Sequence, residues 1–400
     1  MKPETLRPLY NAFGRHATVY LETERRTPDA AHAIELRWRE ARSELAAAGA
    51  HMETLDAIAE VVANPDLAAP GRAVFARDGA VTDTIGLRTA PALPVAIVAP
   101  LPHVRPALAD APPAVPHLRV AVNRAGGEII TYYGPDVSAP NGARNTPSLR
   151  DRQADPSADQ GGRWELQEAR RSPEISASEW PLHKTSVGGW SQARYQRSAE
   201  HTWEENAKEL AAQVAAEAEQ ARAEFIILGG DLRARGLLLD RLTAKSRDLV
   251  VVVDAEVAAD ADEIAATAEA TATRLASEEC QRGLDRWREL AAHGQAAEGV
   301  AATISAVRDG QAASVFLGDD AALSAIAWLG VEGTDVATSQ AELAERGVLA
   351  PLADRTDEAI IRAAATTDAD LFIMPVDLAG EYAPKDGVCA TLRYPVPEPG

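Results

Sequence analysis

The sequence predicts a mixed α/β (α+β) chain of three domains, with an α/β domain at its centre and an α/β/α sandwich at its C-terminal end. Three observations carry this. Strand-like and helix-like apolar periods alternate along the chain, a proline cluster and an Ala- and Glu-rich stretch divide it, and 400 residues with 46% hydrophobic content suffice for several cores. The expected domains are 1–112, 113–275 and 276–400.

In the first, TVYLE around Val19 reads as a strand, and a helix is expected from Ala30 to Ala48, where Ile34, Trp38, Ala41 and Leu45 recur at helical spacing. RAVFARDGAVTDTIGL places Asp78 and Gly79 between two β-prone runs, a hairpin signal, and PVAIVAPL is a further strand. Pro112, Pro113 and Pro116 then crowd a stretch that suits neither a helix interior nor a central strand, so the first boundary falls there.

The central domain opens with HLRVAVNRAGGEIITYYG, a hairpin turning at Gly126 and Gly127. From Gly134 to about Trp180 the chain is polar and lacks an apolar period, which predicts a long excursion with one edge strand near Trp164. Tyr195, Ala199, Trp203, Ala207, Leu210, Val214, Ala218 and Ala221 then mark one face of a single long helix. Strand EFIIL, helix DLRARGLLLDRL and strand DLVVVVD complete the domain. An Ala- and Glu-rich helix past Cys280 leads into helix GVAATISAVRDG, strand ASVFLG, helix DEAIIRAAA and strands LFIMP and VCATLRY. No internal repeat is evident.

Composition excludes several function classes. With 40 Lys and Arg against 60 Asp and Glu, the formal charge is −20, which opposes nonspecific binding to DNA or an anionic membrane and leaves RNA contact to a local basic patch. Two cysteines, Cys280 and Cys389, are too few for a disulfide framework or a Cys-rich zinc site and fit a reducing cytoplasm, one distant bridge remaining open. No export signal or long apolar span is read, and no metal or cofactor is expected: His183, His201 and His293 lack ligands at metal spacing, and Gly229–Gly230 follows a strand without a nucleotide-loop pattern. Asp319 and Asp320 read as a helix cap rather than an acid pair.

The informative stretch is PLHKTSVGGWSQARYQR, Pro181 to Arg197, which contains no acid. Lys184, Arg194 and Arg197, with His183, can neutralise phosphates; Gly188 and Gly189 permit close backbone approach; Trp190 offers an indole that stacks on a base. The candidate RNA-binding set is His183, Lys184, Gly188, Gly189, Trp190, Ser191, Gln192, Arg194 and Arg197. The same residues also suit a plain tight turn, with the tryptophan tucked against its own domain and the arginines paired with Glu200, Glu204 or Glu205.

H-K-x-x-x-G-G-W-S-Q-A-R-Y-Q-R followed by a long helix resembles the central domain of the archaeo-eukaryotic class-one release factors and Pelota, and the likeness continues through FIILGGDLRARGLLLDRL and the C-terminal GQAAEGVAATISAVRDGQAASVFL and DGVCATLRYPV. It covers about residues 115–400, and the C-terminal part resembles the kink-turn-binding ribosomal proteins. The GGW loop resembles the bacterial branch that includes Balon-type ribosome hibernation factors. The resemblance implies a monomeric factor in the ribosomal A site of idle ribosomes during stress or dormancy, with elongation factor Tu as a candidate co-partner. Where release factors carry the glutamine of GGQ this chain has Trp190, and indole donates one hydrogen bond but accepts none, unlike an amide. Gln192 is the one candidate replacement, although a helical start turns it about 200° from position 190. The N-terminal domain also lacks an NIKS sequence. Three hypotheses follow: a non-catalytic A-site factor, a peptidyl-tRNA hydrolase or rescue factor using Gln192, and a regulatory protein acting off the ribosome through segment 134–180.

Overall fold

The computed structural model describes residues 6–10, 13–65, 69–111, 113–123, 126–133, 168–171, 175–176, 206–253, 261–375, 378 and 383–395. These divide into two compact units, one holding the described parts of Met1–Pro112 and Ser277–Gly400, the other those of Pro113–Arg152 and Leu166–Ala276.

The first unit begins with a short 3-10 turn, Arg7–Tyr10, and strand β1, His16–Glu22, followed by α1, Ala30–Ala47, and α2, Met52–Ala63. Ile34, Trp38, Ala41 and Leu45 are all buried, and they meet Leu55, Ile58 and Val62 of α2 over Val19 and Leu21 of β1. Helix α2 is absent from the sequence reading, although its apolar positions keep the same period. Strands β2, Gly71–Arg77, and β3, Ala80–Leu87, form the expected hairpin, turned by Asp78 and Gly79 at φ 48° and 82°, the left-handed pair a type I′ turn requires. Strand β4, Val95–Ala99, closes an antiparallel sheet ordered β3-β2-β1-β4. Helix α3, Arg105–Asp110, tolerates Pro106 because it stands in the first turn, where no intrahelical N–H is needed.

In the second unit β5, His117–Asn123, and β6, Gly126–Tyr133, pair as the expected hairpin, and β7, Glu168–Arg171, and β8, Ile175–Ser176, both pair with β6. The edge strand thus falls a few residues beyond Trp164, which itself lies outside the described residues. Residues 206–221 form α4. Ala207, Leu210, Val214, Ala218 and Ala221 are buried as the period requires, while Tyr195, Ala199 and Trp203 lie outside the described residues. Then come β9, Phe225–Gly230; α5, Leu232–Arg241; α6, Ala244–Asp248; β10, Val250–Val252; and α7, Ala261–Ala291, whose residues to Ala276 belong to this unit and the rest to the first. The sheet order is β10-β9-β5-β6-β7, with β9 parallel to both neighbours. Helices α4 and α5 share one face with Leu118, Val120, Ile226 and Leu228. On the other, Ile264, Ala268 and Ala272 of α7 meet Phe225 and Ile227.

The remainder of the first unit contains β11, Ala296–Glu298; α8, Val300–Arg308; β12, Ala312–Leu317; β13, Ile326–Leu329; β14, Val336–Ala337; α9, Gln340–Glu345; β15, Leu352–Arg355; α10, Thr356–Thr366; β16, Asp370–Ile373; and β17, Val388–Leu392. One sheet is ordered β11-β17-β12-β16. Cys280, Leu284 and Trp287 of α7 pack against its Phe316 and Cys389, and both cysteines are free and buried. Asp320 caps the next turn by accepting from Ala322 N–H, as read from sequence. The second sheet, β14-β13-β15, escapes the sequence reading because its strands have only two to four residues, too few to show a period.

Gly127 is required by packing. A Cβ there would stand 2.6 Å from Leu210 Cδ2 and 3.3 Å from Ala121 O, so α4 lies directly on the hairpin backbone. Gly127→Ala is expected to destabilise the protein by about 1–3 kcal/mol through overpacking. In urea unfolding, adding Leu210→Ala should cost less on this background than in the wild type; strict additivity would show that the two positions do not press on each other.

Candidate functional site

All nine residues of the sequence-derived RNA set, from His183 to Arg197, lie outside the described residues. What is described is the frame on either side. Strand β8 pairs with β6 at Gly126 and Gly127, and α4 resumes the chain at 206 with Leu210 seated against Gly127. Both flanks of the stretch 177–205 are therefore pinned at the same end of one hairpin. Farther along α4, the buried Glu217 carboxylate accepts from Thr131 Oγ1 at 3.1 Å and Tyr133 Oη at 3.3 Å, which fixes the helix over β6.

The sheet beneath carries an aromatic ladder. His117 is stacked between Tyr132 and Phe225, with ring centroids 4.4 and 4.6 Å away, and Arg119 covers the other part of Tyr132 at 4.3 Å. Burial, reinforced by Arg119, pushes the His117 pKa down to about 4, and its Nδ1 lies 2.8 Å from Val115 O. This imidazole is neutral at pH 7 and serves packing.

The densest group of perturbed titratable side chains lies in the first unit, where residues 101–105 meet β15 and the first turn of α10. His103 Nε2 stands 2.7 Å from Asp354 Oδ1, whose other oxygen accepts from Leu101 N–H at 2.9 Å. Glu358 accepts from Val104 N–H at 2.9 Å and Arg105 N–H at 3.0 Å. Asp357 is held by Arg355 through Nε at 3.0 Å and an Nη at 2.6 Å, with Arg105 Nε at 3.9 Å. Complete burial, then the neighbouring Asp357, drives Glu358 up to about 8; His103 and the two backbone N–H groups pull the other way without cancelling this. Burial opposes the charge on His103, but its hydrogen bond to Asp354 and the nearby Glu358 leave its pKa above the ordinary imidazole value. Each of the three carboxylates is buried and engaged, so the cluster holds two chain segments together and exposes no acid or base to a substrate.

Sequence reasoning misses this group. Its one local signal, acids opening the helix DEAIIRAAA, is what any N-terminal turn shows. A cavity of about 370 Å³ lies nearby, lined by Arg7, Tyr10, Phe13, Val331 and Arg362, with the Arg362 guanidinium 4.6 Å from the Phe13 ring centroid. Among the described residues, no three His, Cys, Asp or Glu side chains are grouped to hold a metal ion, and no helix is long and apolar enough to cross a membrane.

Residues 116–295 match the family model of the bacterial archaeo-eukaryotic release factors, family 2. This supports a release-factor-like character of the bacterial branch for the segment that contains the basic loop, and it does not single out the Balon-type subgroup. Two relatives from Mycobacterium tuberculosis, "Uncharacterized protein Rv2629" and "Uncharacterized protein MT2704", are each 26% identical over 402 residues, covering 98% of this chain and 97% of the relative. Among solved structures, an archaeal translation termination factor, aRF1, is 11% identical with 97% of this chain and 96% of that one covered and a TM-score of 0.22. Archaeoglobus fulgidus Pelota is 14% identical, with 82% and 80% covered and a TM-score of 0.34. TM-scores this low establish no shared arrangement.

The buried cluster sets a pH dependence. A carboxyl whose pKa rises from 4.5 to about 8 on folding, and an imidazole whose pKa also rises, both hold protons more tightly in the folded state. Their contribution is full below the unfolded values and fades as pH climbs through the folded ones, so stability should fall between about pH 5 and 8. Urea midpoints measured across that window should slope downward in the wild type and lose part of the slope in Glu358→Gln; an identical slope in both would exclude Glu358 as its source.

Proposed function

We propose that this chain is a ribosome-associated translation factor of three domains, 1–112, 113–275 and 276–400, that occupies the A site of idle ribosomes without catalysing peptide release. The observation that carries the reading is the family match over residues 116–295, which spans the acid-free loop. In this reading Lys184, Arg194 and Arg197 neutralise rRNA phosphates and His183 adds to them at lower pH. Gly188 and Gly189 bring the backbone close, with Ser191 and Gln192 beside it, and Trp190 stacks on or wedges beside a base. A tryptophan where release factors place their glutamine is what favours binding over hydrolysis, because its one ring N–H can donate but not accept. A hibernation role during stress, with elongation factor Tu as co-partner and the factor monomeric in the cytoplasm, belongs to the same proposal.

The second reading is release or rescue on stalled ribosomes, and Gln192, two positions after Trp190, is the residue that would supply it. The two differ in one outcome: hydrolysis of peptidyl-tRNA.

Cosedimentation with vacant bacterial ribosomes across a salt series tests the proposal. Wild type should bind saturably and stoichiometrically, and Trp190→Ala and Arg194→Ala/Arg197→Ala should each weaken binding by about 10-fold or more, the latter with a shallower salt dependence. Absence of binding at every salt concentration would sink the ribosomal role. On ribosomes loaded with peptidyl-tRNA, no peptide should be released in a single turnover; release abolished by Gln192→Ala would replace the first reading by the second.

A further inference from the structure

Helix α5 contains a glycine that nothing among the described residues asks for. Gly236 stands mid-helix, where glycine is the least favoured residue after proline, and a Cβ built there meets no atom within 4 Å. At 100° per residue, Leu232, Arg233, Gly236, Asp240 and Arg241 fall in one arc of the helix, opposite buried Leu238 and Arg235. All five are exposed, Leu232 at 77%. The next helix, α6, adds exposed Lys245 and Arg247, and Arg247 Nε and an Nη donate to Leu239 O at 2.9 and 2.5 Å, tying α6 to the end of α5. The exposed side chains of residues 232–248 include four basic ones, Arg233, Arg241, Lys245 and Arg247, against two acids, Asp240 and Asp248, a net of +2 in a chain of net −20, while Arg235 is buried on the opposite side.

We propose that the exposed α5–α6 face is a second RNA-binding surface, distinct from the GGW loop. Arg233, Arg241 and Lys245 would meet backbone phosphates there, and the bare backbone at Gly236 would let the strand lie close to the helix. Charge complementarity selects the partner: a basic face fits the regular row of charges along a polyanion, while the chain's net −20 disfavours its approach elsewhere. A mid-helix glycine with open space above it fits close approach from outside, as packing among the described residues leaves it without a role. The choice of RNA among polyanions rests on the ribosomal reading above.

The test uses the full chain with vacant bacterial ribosomes and, separately, a short fluorescent single-stranded RNA. Arg233→Gln/Lys245→Gln should lower affinity about 10-fold at moderate salt and reduce the log–log salt slope by about 2, one for each phosphate left without its cation. Gly236→Gln should raise the melting temperature, since glutamine is the better helix former and its side chain enters solvent, yet weaken binding several-fold; a more stable protein that binds worse is not a misfolded one. Wild-type affinity and slope in both variants would overturn the inference while leaving the loop reading intact, provided that Arg194→Ala/Arg197→Ala weakens binding. Lower affinity with an unchanged salt slope would place a protein on this face and would also overturn it. If wild type ignores ribosomes, the A-site reading fails; the short RNA then decides, supporting the inference if it binds with a slope these variants reduce and overturning it otherwise.

Discussion

The first unit depends on a buried carboxyl group, that of Glu358, whose oxygens accept the N–H groups of Val104 and Arg105. Those donors belong to the first turn of a short helix and have no intrahelical acceptor, so without Glu358 they would be buried and unsatisfied, at about 1–3 kcal/mol each. Asp354 does the same for Leu101, and Tyr20 Oη ties the segment back to β1 by donating to His103 O at 2.7 Å while accepting from Ala107 N–H at 3.2 Å. Residues more than two hundred positions apart thereby share one set of hydrogen bonds. This is why the N-terminal and C-terminal stretches form one compact unit.

The second unit uses a different device. Its sheet is half antiparallel and half parallel: the β5–β6 hairpin supplies an edge for β7 and β8, while β9 and β10 extend it on the other side. Helix α4 runs along β6 from Gly127 toward Tyr133 and returns the chain to the start of β9, as a crossover between the parallel strands β5 and β9 must. Backbone contact at Gly127 and the Glu217 hydrogen bonds fix that helix at two points. The described residues on either side of 177–205 are thus both seated on one hairpin, Ile175 and Ser176 by pairing and Leu210 by packing.

Legibility from sequence follows the range of the interactions. Helix α1 is readable because Ile34, Trp38, Ala41 and Leu45 keep a local period, and the β2–β3 hairpin because Asp78 and Gly79 meet a backbone demand set by four residues. Strands β13 to β15 are not, since fragments of two to four residues carry no period. The His103–Asp354–Glu358 cluster is not either: its acids face backbone N–H groups, which have no sequence signature, across some 250 positions. The GGW loop is legible as a motif, by composition and resemblance, while its geometry lies outside the described residues. A motif names chemistry; only the Gly126–Gly127 anchorage says what carries it.

Both units spend arginines on holding the fold, Arg235 donating to Val253 O and Arg247 to Leu239 O in the second. In the first, Arg355, Arg362 and Arg393 donate to carboxylates or main-chain carbonyls, and Arg7, Arg105 and Arg308 do both, so these cations are spent on holding the fold. Net charge therefore says little about where an anion could bind. At physiological ionic strength charges separated by more than about 8 Å are largely screened, so a phosphate meets the few side chains beside it and not the whole −20. The stretch 181–197, which lacks any acid, and the α5–α6 face, with four exposed basic residues to two acidic, are local exceptions of the kind that screening leaves intact.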